Sequence, residues 1–330
     1  MIDASLTDPD AEAPDGADLL RAIREGGKPA LARALARIEA RPEAVQTLAL
    51  LDAAHQDPQG HVVGLTGPPG VGKSSLANRL VASWRGRGMT VGVIAVDPSS
   101  RRSRGALLGD RTRIATDPED RGVFVRSMAA RDRLGGLAEL TYPAMTLMRA
   151  LYDRVLVETV GVGQSETEIA DMADTVALCV QPASGDSLQF MKSGVMEVPH
   201  LLIVTKADLG LPARRALADL KGALSLAPPR PDGSEPRAIA CSATELDGAE
   251  AAVEALETRI AEVPGTALKA QRERNARAWA EHALRAQWGR RGLETAAPDL
   301  ESVRFANFPF QTAGLAMARL ENSVNGVLRH

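Results

Sequence analysis

The chain has little cysteine: two residues in 330, Cys179 and Cys241, each inside an apolar, strand-like stretch. A disulfide framework is therefore excluded, and two buried thiols fit these stretches better than one disulfide between them. Long hydrophobic runs are also lacking, so no membrane span is expected. Nor is there a large excess of charge. The formal net charge of −3 gives no electrostatic reason to expect nucleic acid or an anionic membrane surface as a partner. The N-terminus, M-I-D-A-S-L-T-D-P-D-A-E, is acidic and polar, unlike a secretory signal, and a cytoplasmic location is expected. No repeat or low-complexity tract stands out. What remains is an ordinary globular composition, 45% hydrophobic and 25% charged.

Apolar spacing divides the chain into three stretches: a helical extension over 1–57, an α/β domain over 58–264 and a helical arm over 265–330. In the first, Leu19 to Glu39 has helical periodicity broken at Gly26-Gly27-Lys28-Pro29, and Pro42 to His55 reads as a second helix. From Val62 onward, short apolar runs alternate with helical segments. The strand candidates are Val62–Thr66, Val91–Val96, Val123–Arg126, Arg154–Glu158, Thr175–Gln181, Leu201–Thr205 and Ala238–Cys241. Most are continuously apolar, as in strands covered by helices on both faces. The alternation predicts a doubly wound, mainly parallel sheet, in which ligands sit beyond the carboxyl ends of the strands. In the arm, Ala276, Trp279, Ala280, Ala283, Leu284 and Trp288 form a helical apolar stripe. It suits either packing on the same chain or a subunit interface.

Residues 67–74 read G-P-P-G-V-G-K-S, a complete G-x-x-x-x-G-K-[ST] octet between a strand and a helix. Gly67, Pro68, Pro69, Gly70, Val71 and Gly72 would turn backbone N–H groups toward the phosphates of a nucleotide, at a helix N-terminus. Lys73 would reach the β and γ phosphates and Ser74 would ligate Mg²⁺, with Ser75 in the same turn. The fold class expected is thus a P-loop nucleotide-binding domain with helical extensions at both ends.

Three further elements fall at strand ends. Thr205-Lys206-Ala207-Asp208 matches a guanine-reading [NT]-K-x-D element, although Lys and Asp at a strand end are also common surface residues. A carboxylate at Asp208 can accept from guanine N1–H and its exocyclic amine, donors that adenine does not offer there. Ser242-Ala243-Thr244 supplies a turn whose backbone can bind guanine O6. Asp97, in Val96-Asp97-Pro98-Ser99-Ser100, is placed to hold Mg²⁺ and orient water, or else to cap a helix. Asp110 lies on a Gly- and Arg-rich segment able to close over the γ-phosphate. Glu158-Thr159-Val160-Gly161 is similar to the Asp-x-x-Gly element of nucleotide switches, with Glu158 polarising a magnesium-bound water and the Gly161 N–H sensing the γ-phosphate. Val162 stands where many GTPases place a water-orienting Gln, so slow intrinsic hydrolysis is expected.

Together, G-P-P-G-V-G-K-S (67–74), V-D-P-S-S (96–100), A-L-L-G-D-R-T-R (106–113), V-F-V-R-S-M-A-A-R (123–131) with L-G-G-L-A (134–138), and V-E-T-V-G-V-G-Q-S-E (157–166) resemble the MeaB/ArgK family of G proteins. The resemblance implies a Mg²⁺-dependent GTPase that cycles between GTP and GDP. It also implies a chaperone gating cofactor loading of an adenosylcobalamin-dependent acyl-CoA mutase, typically methylmalonyl-CoA mutase, and protecting that enzyme. It further implies a homodimer formed through C-terminal helical arms. By the same match, Lys73, Ser74, Asp97, Asp110 and Glu158 take phosphate, catalytic and magnesium roles, and Lys206 and Asp208 take guanine roles. Thr205 stands where the family usually has Asn. The competing classes are a transport-associated P-loop kinase and a metal-delivery GTPase.

Overall fold

The structure, a computed structural model, describes residues 15–98, 117, 119–130, 140–159, 168–182, 198–226, 230, 234–244 and 248–327. In chain order the principal elements are α1 (Gly16–Ala40), α2 (Val45–Gln56), β1 (His61–Thr66), α3 (Lys73–Gly86), β2 (Val91–Pro98), β3 (Val123–Ala130), α4 (Thr141–Arg149) and β4 (Arg154–Glu158). They continue with β5 (Thr175–Val180), β6 (Leu201–Val204), α5 (Leu211–Leu226), β7 (Arg237–Ala240), α6 (Glu250–Glu262), α7 (Gly265–Leu300), α8 (Val303–Asn307) and α9 (Pro309–Val327). They form two compact units, one of residues 59–279 and one joining 1–58 with 280–330.

The larger unit is built on a seven-stranded sheet in the order β3-β2-β4-β1-β5-β6-β7, with every pairing parallel. β1, β5 and β6 are buried along their whole length, which is why they read as unbroken apolar runs. Against one face lies α3, whose Leu76, Ala77, Leu80, Val81 and Trp84 are buried at helical spacing with Ala252, Val253 and Leu256 of α6. The Trp84 indole N–H donates to Glu257 Oε1 at 2.8 Å, so the buried ring keeps a partner for its polar edge. Cys179 and Cys241 are free and buried in this core; burial pushes both thiols above their ordinary range.

At the opposite end of the sheet from the strand carboxyl ends, Asp174 is fully buried. Its carboxylate accepts from Val62 N at 2.9 Å, and from Arg272 Nε at 2.9 Å and Nη2 at 2.7 Å. Arg149, also fully buried, approaches it at 3.9 Å. Burial opposes the Asp174 charge, but the Arg272 hydrogen bonds and the charges of Arg272, His61 and Arg149 outweigh it and hold the carboxyl at about 2. Its contribution to stability is therefore complete above the ordinary carboxylate range and lost only as pH falls toward 2. Removing this anion would leave the buried Arg149 and the partly buried Arg272 without their counter-charge. Asp174→Asn is expected to lower stability by about 3–5 kcal/mol in urea unfolding; a loss below about 1 kcal/mol would show that the pair is not a structural pin.

The smaller unit contains α1, interrupted at Gly27 (φ 58°, ψ −149°) just before Pro29. That is the break expected from Gly26-Gly27-Lys28-Pro29. Asp52 of α2 is 1% exposed and accepts from the Phe310 and Gln311 N–H groups at 2.8 and 3.0 Å, capping α9 from within the chain. Burial pushes its carboxyl up to about 6 in spite of those two bonds.

The expected division into 1–57, 58–264 and 265–330 is redistributed. Residues 265–279 count with the sheet, because Gln271 and Asn275 donate to the Ala173 carbonyl and Trp279 stacks on Tyr142, ring centroids 5.7 Å apart. Residues 280–330 group instead with the N-terminal helices, where α9 packs closely enough that a Cβ on Gly314 would come within 2.6 Å of Leu48 Cδ1. Of the apolar stripe, Ala276, Ala280, Ala283 and Leu284 are buried within this one chain.

Candidate nucleotide site

β1 ends at Thr66, and the octet turns from it into α3 through three glycines with positive φ: Gly67 (136°), Gly70 (74°) and Gly72 (106°). At Gly67 the requirement is also steric, since a Cβ there would meet the Cys179 carbonyl oxygen at 2.4 Å. Pro69 and Gly70 are exposed at the top of the loop, whereas Val71 is buried beneath it. Lys73, at the first position of α3 and 6% exposed, folds back over the loop. Its ammonium donates to the Gly67 carbonyl at 2.7 Å and the Pro68 carbonyl at 3.0 Å. A compact cation is thus held by the loop at the start of α3, the end of a helix whose N–H groups and dipole favour an anion.

Ser74 follows Lys73, with Ser75 exposed beside it. The Ser74 hydroxyl donates to Glu158 Oε1 at 2.6 Å. Glu158 closes β4, in register with Leu65 of β1 and Ala95 of β2. A hydroxyl and a carboxylate converging at adjacent strand ends are hard oxygen donors of the kind Mg²⁺ prefers. Asp97 lies two residues past Ala95 on β2, so its backbone is at the same edge; its side chain, with Asp110 and Gly161, lies outside the described residues.

Thr205 and Lys206 come from the end of β6. The Thr205 hydroxyl donates to the Val71 carbonyl at 2.6 Å, with the Val180 carbonyl at 3.2 Å. Of the two uses open to this hydroxyl, base or loop, the structure selects the loop. One proton is available to a threonine, and the loop takes it. Lys206 adopts a left-handed conformation (φ 56°) and its ammonium donates to the Gly70 carbonyl at 3.2 Å and Gln181 Oε1 at 2.9 Å. Asp208 is exposed, and its Oδ1 accepts from Ser242 Oγ at 2.7 Å; that hydroxyl also contacts Thr244 Oγ1 at 2.8 Å. The Ala207 N–H donates to the Cys241 carbonyl, so the segment after β6 and the turn after β7 are bonded through backbone and side chains alike.

The structure therefore brings Gly67, Pro68, Pro69, Gly70, Val71, Gly72, Lys73, Ser74, Ser75 and Glu158 to one strand edge, and Thr205, Lys206, Asp208, Ser242, Ala243 and Thr244 to the adjoining one. Two contributors had no signal in the sequence. Gln181 receives Lys206, and Arg79 on α3 donates from Nε to the Ala243 carbonyl at 2.9 Å. Both are long polar residues outside any motif, and their roles depend on what the fold places opposite them. Replacing Ser74 by Ala removes the hydroxyl but keeps the helix start. Turnover of Ser74→Ala is expected to need about tenfold more Mg²⁺ for half-saturation; an unchanged Mg²⁺ dependence would remove Ser74 from the metal site.

A parallel sheet with a phosphate loop after its first strand, and an Asp and a Ser-Ala turn beyond β6 and β7, defines a P-loop protein of the guanine-nucleotide type. The model of the family described as methylmalonyl-CoA mutase-associated GTPase MeaB matches residues 31–290, and the chain belongs to that family. A putative GTPase of Pyrococcus horikoshii is 43% identical over 192 residues, 58% of this chain and 60% of the archaeal protein. The mouse methylmalonic aciduria type A homolog, mitochondrial, is 42% identical over 189 residues, 56% of this chain and 46% of its own length. In three dimensions the crystal structure of the LAO/AO transport system kinase superposes with a TM-score of 0.63 at 27% identity, covering 94% of this chain and 97% of the other.

Proposed function

We propose that the chain binds GTP and GDP with Mg²⁺, hydrolyses GTP slowly on its own, and serves as a nucleotide-switched chaperone of an adenosylcobalamin-dependent acyl-CoA mutase, methylmalonyl-CoA mutase first among them. The observation that carries the nucleotide reading is the pairing of the Ser74 hydroxyl with Glu158 beside the buried Lys73 ammonium. Lys73 would neutralise phosphate charge, Ser74 and Glu158 would hold the metal together with Asp97 and Asp110, and the loop N–H groups would orient the triphosphate. When bound, Mg²⁺ would supply neutralising positive charge to the phosphates. Asp208 accepts from the guanine edge while Ser242 fixes its other side.

The chaperone role draws support from the family's description and from the mouse relative's name. On this reading the nucleotide state gates cofactor loading and protects the mutase, and the protein acts in the cytoplasm as a homodimer. Coupling of this kind is reciprocal, so GTP- and GDP-loaded protein should differ in mutase affinity by about fivefold or more. The test is GTP turnover measured alone and with saturating mutase, beside mutase binding in each nucleotide state. Acceleration by the mutase with state-dependent affinity supports the proposal. Unchanged turnover with equal affinities overturns the chaperone role.

A further inference from the structure

The guanine-facing turn is fastened from below by a residue that no guanine motif contains. Arg79 sits six residues after Lys73 on α3, partly buried, and its Nε donates to the Ala243 carbonyl at 2.9 Å. The peptide that follows is held on its other side as well, because the Thr244 N–H faces Ser242 Oγ at 3.4 Å. Ser242 N–H donates to the Gly248 carbonyl at 3.0 Å. Of the three N–H groups in Ser242–Thr244, only that of Ala243 donates to no protein group among the described residues. It is the donor left to meet an acceptor on a bound base.

We propose that Arg79 is a positioning residue for base recognition: it clamps the Ser242–Thr244 turn to the phosphate-loop helix so that the Ala243 N–H and the Asp208 carboxylate address the purine together. This rests on the guanine reading given above. The contacts close a ring. Thr205 ties the segment after β6 to Val71 of the loop, Asp208 and Ser242 tie that segment to the turn after β7, and Arg79 ties the turn back to the helix that the loop begins. A threonine hydroxyl donates once, and Thr205 gives that hydrogen to the loop. Its oxygen can still accept, but it has no further donor of the kind an asparagine amide would extend toward the turn. Among the described residues, the direct hydrogen bond between this turn and the loop helix is the one from Arg79. Opening the ring at Arg79 leaves the octet, Lys73 and Ser74 untouched, so its effect should fall on the base and not on the phosphates.

The test compares wild type, Arg79→Met and Arg79→Lys by calorimetry with GDP, ADP and pyrophosphate, each with Mg²⁺. Methionine keeps the apolar stem over α3 and removes the donor; lysine restores a donor. Arg79→Met is expected to weaken GDP about tenfold, to narrow the GDP-over-ADP ratio by a similar factor and to leave pyrophosphate unchanged. Arg79→Lys is expected to recover GDP affinity to within about threefold of wild type. A purely structural role would weaken GDP and pyrophosphate equally with no change in the ratio, and that result overturns the inference. So does unchanged GDP affinity in Arg79→Met. A wild type that binds GDP and ADP alike overturns the guanine reading itself, and this inference with it.

Discussion

Lys73→Ala is expected to lower GTP turnover by about a hundredfold or more, with triphosphate affinity falling alongside it. Lys73 is 6% exposed, and its ammonium is held by two carbonyls of the loop at 2.7 and 3.0 Å. It is therefore already at the anion site and need not be recruited from solvent. In such surroundings a fixed point charge acts on phosphate oxygens far more strongly than in water. The substitution should leave the fold intact, because alanine is the best helix former and position 73 opens α3. Turnover assays with far-UV dichroism on the same sample check both statements. Turnover within threefold of wild type in a folded variant would contradict the placement of Lys73 on the phosphates.

Asp208→Asn is expected to weaken GDP by about a hundredfold or more and to favour xanthosine diphosphate instead. The carboxylate holds Ser242 Oγ on one oxygen, which leaves the other to accept from a base. An amide in its place presents a donor where guanine also presents donors, and that clash costs more than the loss of a bond. Xanthine carries a carbonyl at the position of the guanine amine and accepts from that amide. Titrations of the variant with guanosine and xanthosine diphosphates decide it; an unchanged preference for guanine would place the base elsewhere.

The seven strands were legible in the sequence because a parallel sheet covered on both faces leaves nearly uniform apolar runs, and β1, β5 and β6 are buried end to end. The octet was legible because loop geometry dictates its glycines: Gly67, Gly70 and Gly72 all have positive φ. What could not be read was partnership across the chain. Asp174, Arg272 and Arg149 show no spacing that announces a buried cluster. The stripe from Ala276 to Leu284 announces a covered face without naming what covers it, and so the unit boundary falls inside α7 and not at 265. The motif position of Thr205 places it in the guanine-reading element without saying what its hydroxyl bonds. Only the 2.6 Å contact with the Val71 carbonyl assigns its hydrogen. Arg79 belongs to the same category, since a carbonyl 164 residues away gives it its role.

The fate of the terminal phosphate tests the central claim most directly. The protein is incubated with Mg²⁺ and either GTP or ATP labelled at the γ-phosphate, and free phosphate is counted over many hours without any partner. Slow release of free phosphate from GTP, with release from ATP at background, is the predicted result. Equal release from the two nucleotides would contradict the guanine assignment of Asp208 and the Ser242–Thr244 turn. Label transferred to an acceptor in place of free phosphate would contradict hydrolysis as the reaction.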